Sequence, residues 1–129
     1  MIVIDTSVWI DAFRRPTSES ASTVRELIDA DEAALALPVR LELIAGLAKK
    51  DRATFVRGLS ALPVLVPTEE TWHLIEGWIP PAADKGHRFA VTDLLIAGLA
   101  HEIGALVWSL DDDFDRLERL GLVQQYSES

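Results

Sequence analysis

The chain opens on Met1-Ile2-Val3-Ile4, a short β-branched run with no polar position, and turns polar at Asp5-Thr6-Ser7. A run apolar on both faces suits a central strand of a parallel sheet, covered by helices above and below. Val8-Trp9-Ile10 and Phe13 then recur at helical spacing until Arg14-Arg15-Pro16-Thr17 breaks the pattern. Ser20 to Ala30 predicts a second helix with Val24, Leu27 and Ile28 inward, and Ala33 to Leu37 reads as a buried strand. Pro38 stands where proline favours a helix start, and that helix is expected to reach about Lys49 with Leu41, Ile44, Ala45 and Ala48 inward.

Asp51 to Leu62 is amphipathic, with Phe55, Val56 and Leu59 facing in, and Val64-Leu65-Val66 between Pro63 and Pro67 is a short strand. Thr68 to Ile79 has helical spacing. Pro80-Pro81 is expected to stop it, leaving Ala82 to Ala90 as a polar loop. Asp93 to Ile103, capped by Thr92, is apolar nearly all round and predicts a buried helix. Gly104 ends it, Ala105 to Trp108 is a strand, a short helix runs to Leu120, and Leu122 to Gln124 reads as a last strand. The alternation predicts an α/β fold with a mainly parallel central sheet of four to five strands flanked by helices. A length of 129 residues fits one domain over 1–129, with fraying expected at Ser127 to Ser129.

Composition narrows the function classes. The chain has no cysteine, which excludes disulfides and thiolate metal sites and fits a reducing compartment. The first apolar run is too short for a signal peptide, and no run approaches the roughly 20 residues of a membrane span, so a cytoplasmic protein is expected. Net charge is −9, from 12 basic and 21 acidic residues. A sequence-independent nucleic-acid binder shows the opposite balance, because neutralising phosphates supplies most of its affinity. Any nuclease reading therefore requires a divalent cation, which turns a carboxylate cluster from a phosphate repeller into a phosphate receiver.

The acids themselves fall at telling places. Asp5 directly follows a buried strand. In open parallel sheets, ligands bind beyond the carboxyl ends of strands, near the reversal of strand order. The same position also suits a helix N-cap. Glu42 has Pro38, Val39, Ala45 and Gly46 as helical neighbours. None is basic, so the usual exposed Glu–Lys pair is absent; a solvated surface glutamate is the other reading. Asp93 opens an apolar helix beside Ile96 and Ala97, where the helix dipole alone favours a carboxylate. Asp111, Asp112, Asp113 and Asp115 follow a strand and open a helix whose buried side is Phe114 and Leu117. A solvated, dipole-matched helix start accounts for most such runs. Asp5 and Asp111 nevertheless belong at the same sheet edge, and the helices carrying Glu42 and Asp93 begin near it.

Four segments in order resemble the PIN domain. They are Ile4-Asp5-Thr6-Ser7-Val8 with Ile10-Asp11, then Leu41-Glu42-Leu43-Ile44-Ala45-Gly46, then Asp93-Leu94-Leu95-Ile96-Ala97, and last Ser109-Leu110-Asp111-Asp112-Asp113-Phe114. Their spacing is similar to that of VapC-type toxins of type II toxin–antitoxin systems. The resemblance implies an endoribonuclease using Mg²⁺ or Mn²⁺ to hydrolyse RNA by metal-activated water. It also implies neutralisation by a VapB-type antitoxin, and a homodimer. Carried over by position, Asp5, Glu42 and Asp93 are the acidic triad, Asp111 the fourth acid and Asp113 a frequent fifth. Thr6 and Ser109 match hydroxyl positions lining the site, with Ser109 where threonine is common. Asp112 has no counterpart and is expected in solvent, while a structural role is expected for Asp11. RNA affinity would rest on the metal and on local bases such as Arg14, Arg15, Arg40, Lys49, Lys85 and Arg88.

His73 and His101 read as surface or packing residues, and His87 as a loop residue beside Lys85 and Arg88. The tryptophans, Trp9, Trp72, Trp78 and Trp108, read as core or interface. Two other functions compete. A phosphotransfer protein of the receiver or haloacid-dehalogenase kind also uses strand-end aspartates and Mg²⁺. The latter wants a second aspartate two residues after the first, where this chain has Ser7, and the former a late strand-end lysine that is not apparent. A non-catalytic PIN binding module is the other, and keeping all the acids counts against it.

Overall fold

The strand Ile2–Ile4 (β1) is buried at every position, which is why its sequence has no polar residue. In the computed structural model, which describes residues 1–127, it lies inside a four-stranded sheet with Ala33–Ala36 (β2), Val64–Leu65 (β3) and Leu106–Trp108 (β4). The order is β3-β2-β1-β4, and every pairing is parallel. The chain steps outward from β1 to β3 and then returns to the far side of β1. The reversal of strand order therefore falls between β1 and β4, where a parallel sheet opens a crevice at its carboxyl edge. The expected fifth strand at Leu122 to Gln124 shrinks to one bridge between Val107 and Gln125. Gly121, at φ 77, swings the chain out of the last helix, and the Gln125 amide is drawn back to Asp115 and Glu118 instead of extending. Glu128 and Ser129, where fraying is expected, lie outside the described residues.

The helices are Thr6–Arg14 (α1), Glu19–Asp29 (α2), Leu37–Gly46 (α3), Lys49–Gly58 (α4), Glu69–Asp84 (α5), Val91–Glu102 (α6) and Asp113–Arg119 (α7). The buried helix expected from Asp93 is α6. Leu94 through Ala100 are buried without a break, and α6 packs on α3, α5, α7, β1 and β4. It starts at Val91 with Ala90 as N-cap and no side-chain cap, so Thr92 falls inside the first turn instead of capping.

Three helices depart further from expectation, α3 and α4 in the face they bury and α5 in its length. The inward face of α3 is Val39 and Leu43, followed by Leu47, and Leu41 is 57% exposed. Ala45 and Ala48 are also exposed and Ile44 is half-buried. The α3 segment is apolar on nearly every side, so two stripes at the same spacing compete, and only the sheet beneath decides between them. In the same way α4 buries Phe55, followed by Leu59, but leaves Val56 outside.

The second departure is α5, which runs through Pro80 and Pro81 to Asp84. Each proline removes a helical N–H and crowds the carbonyl of the residue four positions earlier. Those residues, Glu76 and Gly77, are exposed, so their carbonyls are left to water. The added turn buries Ala82. It is closed by Gly86 at φ 85, with the amides of Gly86 and His87 donating to Ala83 and Ala82. The polar loop thus shortens to residues 85–90.

The close approach of α5 to α6 depends on Gly98, where a Cβ would lie 2.7 Å from Ile75 Cγ2. Gly98→Ala is expected to cost about 1–3 kcal/mol in denaturant melts, as overpacked cores do. Adding Ile75→Ala, which removes that methyl, should give a loss smaller than the sum of the two single losses. Strict additivity would show that the two positions do not meet.

Candidate metal centre

Asp5 leaves β1 at the point of strand reversal, with its backbone N–H still on the ladder, donating to the Trp108 carbonyl at 2.8 Å. It is 6% exposed. Its side chain caps α1, and three donors converge on Oδ2: Ser7 N at 3.4 Å, Ser7 Oγ at 2.8 Å and Ser109 Oγ at 2.8 Å. None of those three bonds engages Oδ1. The N-cap role considered for Asp5 is thus carried by Oδ2, and Asp5 lies near enough to Asp93 to act on it electrostatically. Ser7 Oγ also accepts from Leu110 N at 3.0 Å, and Ser109 Oγ from Asp111 N at 2.9 Å. The two hydroxyls knit the end of β1 to the end of β4.

The other acids arrive from helix starts. Asp93 sits in the first turn of α6, and Asp113 in the first turn of α7. Asp111 precedes α7 and accepts the Asp113 N–H on Oδ1 at 3.0 Å. Asp93, Asp111 and Asp113 each bring a carboxylate oxygen within 4.8 Å of the others. Asp5 is near enough to act electrostatically on Asp93. Glu42 is exposed on α3 and stands outside this tight group, held by Thr6 Oγ1, which donates to its Oε1 at 2.8 Å. Asp112 is exposed, as expected. Asp11 is paired with Arg15 at 2.8 Å on α1, the structural role expected of it, and the Arg15 hydrogen bond holds its carboxyl below the usual range.

Two further side chains, to which the sequence assigns no site role, take part. Ser7 holds Asp5, and a hydroxyl two residues after an N-cap aspartate is a local signal for such a bond. Arg116 binds Asp113 at 2.7 Å through an i,i+3 pairing on α7. The histidines stay outside the carboxylate group. His73 lies between Glu69 and Glu76, His101 stands edge-on to Trp78, and His87 faces Arg116. Trp9 and Trp108 are core, Trp78 is half-buried, and Trp72 is exposed.

Burial is the first cause that pushes the Asp93 carboxyl up to about 7, followed by repulsion from Asp5, Asp111 and Asp113 and a hydrogen bond with Asp113. The donor set is carboxylate oxygen throughout, with no thiolate or imidazole. That chemistry fits hard divalent cations such as Mg²⁺ and Mn²⁺.

These features define a class, parallel α/β proteins with an all-carboxylate site at the carboxyl edge of the sheet. Residues 2–120 match the PIN domain, and the chain belongs to that family. Ribonuclease VapC11 of Mycobacterium tuberculosis is 33% identical over 132 residues, covering 98% of each chain. A VapC ribonuclease of Mycobacterium bovis is equally similar, at 33% over 132 residues. Among solved structures, VapBC2 from Rickettsia felis bound to a promoter DNA fragment superposes with a TM-score of 0.81 at 18% identity, covering 100% of both chains. DNA-bound VapBC from Salmonella typhimurium gives 0.77 at 23% identity, covering 97% of this chain and 96% of that one. Among the described residues, no helix is long and apolar enough to cross a membrane.

Asp93 gives a pH dependence of definite sign. Its folded pKa is raised from 3.8, so the stability linked to its protonated form is full below about 3.8 and is lost as pH rises through about 7. In chelator, the wild type should lose stability relative to Asp93→Asn between pH 4 and pH 8, read as the denaturant midpoint. Adding Mn²⁺ should reverse the difference. A parallel pH profile for the two proteins would show that Asp93 carries no such strain.

Proposed function

We propose that this protein is an endoribonuclease toxin that requires Mg²⁺ or Mn²⁺ and is neutralised by a VapB-type antitoxin in the cytoplasm. The observation that carries the reading is the crowding of Asp93, Asp111 and Asp113, with Asp5 beside them, at the reversal of strand order. Near relatives named VapC ribonuclease, and VapBC complexes with the same fold, support it. In this reading Asp5, Asp93 and Asp111 hold the cation, with Asp113 alongside, and Glu42 acts from the rim. A bound cation acidifies water and offsets the charge that builds on phosphate oxygens.

The chain's own groups do the rest. Ser7 and Ser109 hold the Oδ2 oxygen of Asp5, and Thr6 holds Glu42 through its Oε1. A cation held by these acids would favour the ionised form of Asp93, whose carboxyl is raised to about 7 by burial and its acidic neighbours. The net charge of −9 makes the cation necessary for holding RNA as well as for cutting it. A phosphotransfer reading finds no second aspartate two residues after Asp5; Ser7 is there, and its hydroxyl is committed to holding Asp5.

Asp5→Asn should lower metal-dependent RNA cleavage by about a hundredfold or more, beyond what loss of an outer-sphere partner costs. It should still fold, because asparagine caps a helix as well as aspartate does. Full activity in a preparation free of wild-type enzyme would sink the assignment. The product ends provide a separate check. Attack by water needs no RNA 2′-hydroxyl, so mass spectrometry should find 5′-phosphate and 3′-hydroxyl ends. Cyclic 2′,3′-phosphates would overturn the mechanism.

A further inference from the structure

We propose that Arg116 is a positioning residue for the carboxylate centre, a caged guanidinium that fixes Asp113 against its neighbours and so sets the spacing of the oxygens offered to a divalent cation. The proposal rests on reading the cluster as a cation site, and it adds a residue that no family motif described above contains.

The guanidinium is held on several sides. Its Nη2 donates to Asp113 Oδ1 at 2.7 Å and to the Arg88 carbonyl at 3.3 Å. Its Nη1 approaches His87 Nδ1 at 3.4 Å. Arginine has no acceptor, so that imidazole nitrogen must accept. The Cζ atom stands 4.5 Å from the centre of the Phe89 ring, and His87 stacks on the same ring at 6.2 Å and 16°. One planar group thus uses its edge and its face together, which a lysine ammonium does not reproduce.

The position of this cage gives it its role. Residues 87–89 belong to the lead-in of α6, whose first turn carries Asp93. Arg116 itself is on α7, whose start carries Asp113 just after Asp111. The side chain therefore ties together the two backbone segments that bring mutually repelling carboxylates together. Among the described residues, it is the one cation in ion-pair contact with a member of that group.

Charge and position predict opposite outcomes. A guanidinium beside a divalent cation repels it, so by Coulomb's law alone removing Arg116 tightens metal binding. Loss of a positioning group instead loosens it, and loss of an outer partner commonly costs ten- to a hundredfold in metal affinity. Mn²⁺ titration calorimetry on wild type, Arg116→Ala, Arg116→Lys and Asp93→Asn separates the cases, with thermal melts in chelator checking that each variant folds. Arg116→Ala should bind Mn²⁺ about tenfold or more weakly, and Arg116→Lys, with its charge kept and its fork lost, should fall between it and wild type. Unchanged or tighter binding by Arg116→Ala overturns the proposal. Should Arg116→Ala fail to melt cooperatively, wild-type affinity in Arg116→Lys overturns it. Asp93→Asn stands for the parent reading. Its loss of Mn²⁺ binding alongside tight Arg116 variants rejects Arg116 alone, and undiminished binding by Asp93→Asn rejects the cation site itself.

Discussion

Like charges brought together at the edge of a sheet must be held there by something stronger than their repulsion. Two carboxylates whose oxygens lie within 4.8 Å repel by about 3–4 kcal/mol at an effective dielectric near 20, and by about 1 kcal/mol in water. A domain of this size has only about 5–15 kcal/mol of net stability. The fold meets that repulsion partly through Asp93, whose carboxyl is raised to about 7 and holds a proton below that pH. It also places the acids where backbone charge is favourable. Asp5 caps α1, Asp93 lies in the first turn of α6, and Asp113 in the first turn of α7. Three helix N-termini thus point at one place, and each presents the positive end of its dipole.

The rest of the molecule can be understood as the support for that convergence. The backbone of α6 cannot yield, because seven consecutive residues, Leu94 through Ala100, are buried among its neighbours. Gly98 lets α5 press directly on it. At the other side of the site, Ser7 and Ser109 share the Oδ2 oxygen of Asp5 and lock the ends of the two strands that flank the strand reversal. The hydroxyls do more than fill hydrogen bonds. They tie the Oδ2 oxygen of Asp5 to the ends of both strands while the same side chain caps α1.

Legibility from sequence followed the range of the interaction. β1 and α6 were readable because their burial is written in every residue, and the acids after β1 and β4 were placed at the right edge by the parallel alternation. The inward face of α3 was not readable, since Val39-Leu43 and Leu41-Ala45 have the same spacing and the choice belongs to the sheet. The course of α5 through Pro80-Pro81 was hidden too, because the residues whose carbonyls lose their bonds happen to be exposed. At the site, Asp113 lies within the tight group with Asp93 and Asp111, while Glu42 lies outside it and is held by Thr6. For Ser7 and Arg116 the local contacts, to Asp5 and Asp113, are within reach of sequence reasoning, whereas their long-range partners Leu110 and Arg88 are not.

The strand order has a consequence in time. Ser109 reaches back 104 positions to Asp5, and β4 enters the sheet beside β1 only after every other strand is made. A chain emerging from the ribosome carries Asp5 and Glu42 early, but it has no complete carboxylate group until Asp111 and Asp113 have followed. The carboxylate group is therefore complete only when the segment from β4 to the first turn of α7 has joined β1 and α6.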